Sequence, residues 1–104
     1  MIRVVTAAFL IGASQAAAAD IETVTQKGYG CLEKADFIRS VEFASADDQA
    51  AFTKFIQPKF ADGSCVRFAQ GDKVYLEHSV VNGPICIRPK GEVHCLWTDP
   101  SVIQ

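Results

Sequence analysis

The side chains best equipped for chemistry are four cysteines, Cys31, Cys65, Cys86 and Cys95, and two histidines, His78 and His94. Such a set suits zinc binding, thiol redox chemistry or disulfide bonding. Zinc sites draw ligands from closely spaced pairs, and no Cys-x-x-Cys occurs here, nor does any zinc-finger spacing among the six residues. A thioredoxin-type redox pair needs the same motif. An even number of cysteines in a small exported chain reads instead as a disulfide framework. Three pairings are open, of which Cys86–Cys95 with Cys31–Cys65 is favoured. Cys86 and Cys95 flank Pro89-Lys90-Gly91-Glu92, a turn between two apolar segments. A two-residue turn at Lys90-Gly91 sets the two cysteines opposite one another, at a non-hydrogen-bonded pair where side chains come closest.

Catalytic patterns are sparse. The sequence holds no Gly-x-Ser-x-Gly, no His-Glu-x-x-His and no phosphate-binding loop. His78 and Ser79 are adjacent, so in a strand they face opposite ways and form no nucleophile–base pair. The two-residue turn places His94 opposite Ile87, with no carboxylate partner at useful spacing. Asp47-Asp48 is a carboxylate pair, but it falls where a helix begins and is accounted for there. The expectation is a protein that is not an enzyme and takes no cofactor and no metal.

The N-terminus carries an export signal. Met1-Ile2-Arg3 is a short basic start, residues 4–13 are apolar apart from Thr6 and Gly12, and small residues ending in Ala16-Ala17-Ala18-Ala19 precede Asp20. This is the three-part layout of a secretory signal peptide over 1–19, with an apolar run too short to span a membrane. Cleavage after Ala19 leaves 85 of the 104 residues, room for one small core. The chain has a net charge of −2, and losing Arg3 makes the remainder more acidic, which argues against nucleic acid as a partner. The expected location is the periplasm or the exterior, with no membrane span after cleavage.

Residues 20–30 are polar and read as a flexible lead-in. Leu32, Ala35, Ile38 and Val41, with Phe37 beside them, then mark a helical face. Ser45 is an N-cap candidate for a second helix, with Asp48 in the capping-box position and Ala51, Phe52, Phe55 and Ile56 as its apolar stripe. Pro58 is expected to end it. Beyond Asp62-Gly63-Ser64 the period changes to two: Val66 and Phe68, Val74 and Leu76, Ile85 and Ile87, then 93–97, each run separated by a turn signal. The single domain expected over 31–104 is therefore α+β.

The second half resembles a bacterial SH3-like barrel. Gly71-Asp72-Lys73-Val74-Tyr75-Leu76 is similar to the Gly-x-x-Val-x-Val strand of such barrels. Cys86-Ile87-Arg88-Pro89-Lys90-Gly91 resembles their Val-Arg-x-x-Gly hairpin, and Leu96-Trp97-Thr98-Asp99-Pro100-Ser101-Val102-Ile103 their closing Trp, helical turn and last strand. The helix pair ahead of it resembles small exported proteins of alphaproteobacteria. The resemblance implies two short helices packed on a small β-barrel of about four to five strands, stapled by disulfides.

Alternation with Val74, Leu76, Ile85, Ile87 and Leu96 turned inward leaves Tyr75, Glu77, Arg88 and Trp97 outside. These four form either a peptide-recognition groove or, for the two aromatics, part of the packing beneath the helices. The functional expectation is a non-enzymatic binding module for a protein or peptide partner in the cell envelope, with peptidoglycan a further partner implied by the SH3 resemblance. The alternative is an inhibitor or immunity protein acting on an envelope enzyme such as a lysozyme, using loop 78–84.

Overall fold

The computed structural model describes residues 20–104; the signal peptide expected over 1–19 lies outside the described residues. Among these, the chain forms six strands, two α-helices and a 3-10 turn: β1 (Asp20–Thr23), β2 (Gly28–Cys31), α1 (Lys34–Ser45), α2 (Gln49–Asp62), β3 (Cys65–Phe68), β4 (Lys73–His78), β5 (Ile85–Pro89), β6 (Leu96–Thr98) and the turn Pro100–Ile103. The architecture is α+β, as expected. The strands form one antiparallel sheet in the order β1-β4-β5-β6-β2-β3. Among the described residues no strand pair joins β1 to β3, so the sheet is open.

The count of six exceeds the expected four to five because 20–30 is not a lead-in. Asp20 to Thr23 pair with Leu76 to Lys73, and Gly28 to Cys31 with Phe68 to Cys65. The link between them is also tied down. Val24 donates its N–H to Asp72 O and accepts from Gly71 N–H, both at 2.8 Å, and Thr25 N–H reaches Val102 O at 2.8 Å. These bonds bring the end of β1 onto the β3–β4 turn and the 3-10 turn, and Val24 is buried there.

Period-two alternation sorts the sheet's side chains into two cores. One face gathers Val24, Phe68, Val74, Ile85, Ile87, Leu96 and Val102, with Leu76 and Ile103 against them. Full burial of a side chain such as Ile87 contributes about 1.5–3 kcal/mol. The other face meets the helices through Cys31, Phe37, Ile56 and Cys65, with Tyr29, Phe52, Phe55, Phe60 and Trp97 around them. In β2 the two layers demand very different sizes. Tyr29 and Cys31 face the helices, whereas a Cβ on Gly30 would lie 2.9 Å from Leu96 Cβ and from Phe68 Cζ.

The helices depart from the expected pattern in three places. Asp48, not Ser45, caps α2, its carboxylate accepting Ala51 N–H at 3.0 Å; Ser45 is the last residue of α1. Pro58 does not end α2, which runs on to Asp62 and stops at Gly63, whose φ of 83° suits glycine. Pro58 is exposed, so the carbonyl it leaves unbonded lies on the wet side of the helix. On α1 the buried residues are Phe37 and Ser40, while Leu32, Ile38 and Val41 of the anticipated core stripe remain exposed.

Both favoured disulfides are present, Cys31–Cys65 and Cys86–Cys95. Cys31 and Cys65 are directly paired across β2 and β3, and Leu32 N–H to Ser64 O at 2.8 Å marks theirs as a non-hydrogen-bonded pair. For the other bridge the linkage stands but the anticipated register does not. Cys86 lies opposite Trp97, and Ile87 opposite Leu96 rather than His94. The Lys90-Gly91 turn forms, closed by Glu92 N–H to Pro89 O at 3.0 Å, but a bend at 93–94 shifts the pairing that follows, and Cys95, two residues before Trp97, reaches Cys86 diagonally.

Candidate functional site

A row of paired residues crosses the helix-side face of the sheet. His78 opposes Cys86, Cys86 opposes Trp97, Trp97 opposes Cys31, and Cys31 opposes Cys65. Trp97 thus stands between the two disulfides. A bulge between Leu76 and His78 turns both Glu77 and His78 to this face. The helices cover the Cys31–Cys65 end. At the other end the His78 ring stacks on Trp97 at 5.8 Å and 13°, and Lys34 Nζ lies 5.0 Å from the indole centroid. Trp97 is half-buried and packs on the core beneath the helices.

Tyr75, Glu77 and Arg88 come together, one row away from Trp97. Tyr75 and Arg88 are direct partners across β4 and β5. Arg88 holds Glu77 Oε2 at 2.5 Å through Nε and lies 4.6 Å from the Tyr75 ring centroid. Its Nη1 also donates to Glu92 O at 3.2 Å. Two bonds fix the guanidinium in place, while its remaining N–H groups and Glu77 Oε1 keep hydrogen-bonding capacity.

A second feature shares no residue with this patch. A groove of about 830 Å³ runs between α1, loop 79–84 and the 3-10 turn. Ile38 and Val41 of α1 form one wall, and Val80, Pro84 and Ile85 face them. Ile38, Val41 and Val80 are 41%, 40% and 51% exposed, so they form apolar surface that nothing among the described residues covers. Among the described residues the only charged ones lining it are Glu42 and Asp99. Arg39 holds Glu42 at 3.1 Å, and Asp99 accepts Ser101 N–H at 2.9 Å. The loop wall has a defined shape. Asn82 takes a left-handed φ of 60°, and a Cβ on Gly83 would sit 2.5 Å from Val80 Cγ2.

Sequence reasoning read Ile38 and Val41 as core and so missed this groove; the signal was present, but the pattern of an interface helix equals that of a core helix. All four cysteines are in disulfides, so none offers a thiolate to a metal or a redox reaction. No described helix is long and apolar enough to cross a membrane. Comparison with protein-family models, curated proteins and solved structures finds no significant match.

Proposed function

We propose that this chain is a non-enzymatic binding module, exported to the periplasm or beyond, which seats an apolar peptide segment of a partner protein in the groove between α1 and loop 79–84. The observation that carries this reading is the uncovered α1 stripe, Ile38 and Val41, facing Val80 across an open groove. Interfaces of this kind take an apolar anchor from the partner and use the polar rim for register. Among the described residues Arg39 neutralises Glu42 and Asp99 has no counter-ion, so a lysine or arginine on the matching segment meets Asp99 beside its apolar residues. The two disulfides suit an oxidising compartment and tie together the strands of the sheet from which the groove's elements emerge.

An SH3-like arrangement belongs to the same reading. It is supported by the Gly71-Asp72 turn into β4, by the β5–β6 hairpin and by the 3-10 turn that follows Trp97. In it, Tyr75, Glu77, Arg88, His78 and Trp97 form a second surface, on the helix-side face of the sheet and outside the groove lining.

A second reading, an inhibitor of an envelope enzyme such as a lysozyme, is favoured by the tip of loop 79–84, where Val81 is 90% exposed. An inhibitor inserts that tip, so Val81→Ser abolishes its action while Ile38→Asp leaves it intact. The module reading expects the reverse. Co-sedimentation with purified sacculi, run beside cross-linking in whole envelopes, separates a wall ligand from a protein partner. A single cross-linked protein lost on Ile38→Asp supports the module. Pelleting with sacculi, lost on Trp97→Ala, would replace the protein partner with peptidoglycan.

A further inference from the structure

On the far side of the helix layer, between α2 and the β2–β3 pair, lies a second cleft of about 430 Å³. Its walls are Tyr29, Phe52, Ile56 and Phe60, and among the described residues its only charged lining residues are Lys27 and Arg67. This sign is notable in a chain of net charge −2. Arg67 lies 3.8 Å from the Phe60 ring centroid, which fixes its guanidinium at the rim. Among the described residues neither Lys27 nor Arg67 has a carboxylate within ion-pair distance. Two unpaired cations at the mouth of an aromatic-walled cleft are the arrangement that recognises an anion with an apolar body.

The rings decide what the body is. Tyr29 meets Phe52 at 68° and Phe60 at 86°, both edge-on. No parallel pair of rings forms a slot for a flat ligand, whereas edge-on rings present a ridged apolar surface that suits a flexible chain. We infer that this cleft is a binding site for a single-chain aliphatic carboxylate, its chain along Phe52, Ile56 and Phe60 and its head on Arg67 and Lys27. The planar guanidinium fork matches a carboxylate.

The test is titration of the processed protein with sodium decanoate, below its micelle-forming concentration, followed by backbone amide chemical shifts. Decyltrimethylammonium, with the same chain and opposite charge, is the control probe. The expected result is saturable shifts centred on Lys27, Tyr29, Phe60 and Arg67, with decyltrimethylammonium at least tenfold weaker. Lys27 and Arg67 are both exposed, so the double variant K27Q/R67Q folds normally, and it weakens decanoate binding about tenfold. Arg67→Lys keeps the charge but loses the fork and its stack on Phe60, so it binds more weakly than the wild type and more tightly than K27Q/R67Q. Equal affinity for the two probes, or shifts centred on Ile38 and Val80, would overturn the assignment. Because K27Q/R67Q leaves the α1 groove untouched, failure here and failure of the peptide-binding reading are separate results.

Discussion

Tyr29 reaches from β2 into the layer under the helices, where its hydroxyl meets Ser40 Oγ at 2.5 Å and Ser40 in turn donates to Phe37 O at 2.7 Å. Three phenylalanines, Phe37, Phe52 and Phe60, surround its ring. Burial pushes the Tyr29 hydroxyl above its ordinary pKa of 10.0. The neutral phenol is therefore the form the fold prefers. Below that ordinary value both folded and unfolded chains keep the proton, and the contribution is intact; above it the unfolded chain ionises first, and stability falls as pH rises. Urea unfolding at pH 9 and pH 11 checks this: the wild-type midpoint drops between them, and the drop shrinks in Tyr29→Phe. At neutral pH the same variant loses about 0.5–1.5 kcal/mol with the hydrogen bond to Ser40. Gly30→Ala is costlier, because its methyl meets the Trp97 carbonyl oxygen at 3.0 Å as well as Leu96 and Phe68. Overpacking of this kind costs about 1–3 kcal/mol, read as a lowered thermal midpoint.

Among the elements, legibility in the sequence followed the size of the side chains. β4 and β5 were plain because Val74, Leu76, Ile85 and Ile87 all fill one core. β2 was hidden because its inward positions are Gly28 and Gly30, which leave no apolar residue to alternate with Tyr29 and Cys31. β1 was hidden because Asp20-Ile21-Glu22-Thr23 is an exposed edge strand with Ile21 in solvent. The hairpin register erred because local turn chemistry suggested two residues, while the segment 93–95 adds a bend before β6. The disulfide partners survived this error, since two cysteines on one face can be joined across a diagonal as well as directly. Removing the two bridges tests how each contributes. Loop-closure entropy gives about 2.7 kcal/mol for Cys86–Cys95 and about 4 kcal/mol for Cys31–Cys65, whose sequence separations are 9 and 34. Urea denaturation of the two double-serine variants is expected to rank them in that order.

At the scale of the molecule, the described residues form one sheet with a core on each face, and the helices serve both packing and presentation. Phe37 and Ser40 turn α1 towards the sheet, which leaves Ile38 and Val41 to the groove. Of the site anticipated from the sequence, Tyr75, Glu77 and Arg88 come together and Trp97 stands apart in the row between the disulfides. The groove was not legible, because it depends on which way α1 is rotated, and helical periodicity fixes a stripe without saying what lies against it. Ile38→Asp separates the two roles. At a position 41% exposed it costs about 1 kcal/mol of stability, yet it puts a third acid into the groove and ejects the partner's apolar anchor. The most direct test is a photoreactive phenylalanine analogue placed at Val80 in cells that export the protein, with Lys54 on the far helix as the control position. The expected result is one discrete protein adduct from position 80, absent from position 54 and lost when Ile38→Asp is added. No adduct from position 80, or the same adduct from both positions and in the presence of Ile38→Asp, would contradict the assignment of the α1 groove as the binding surface.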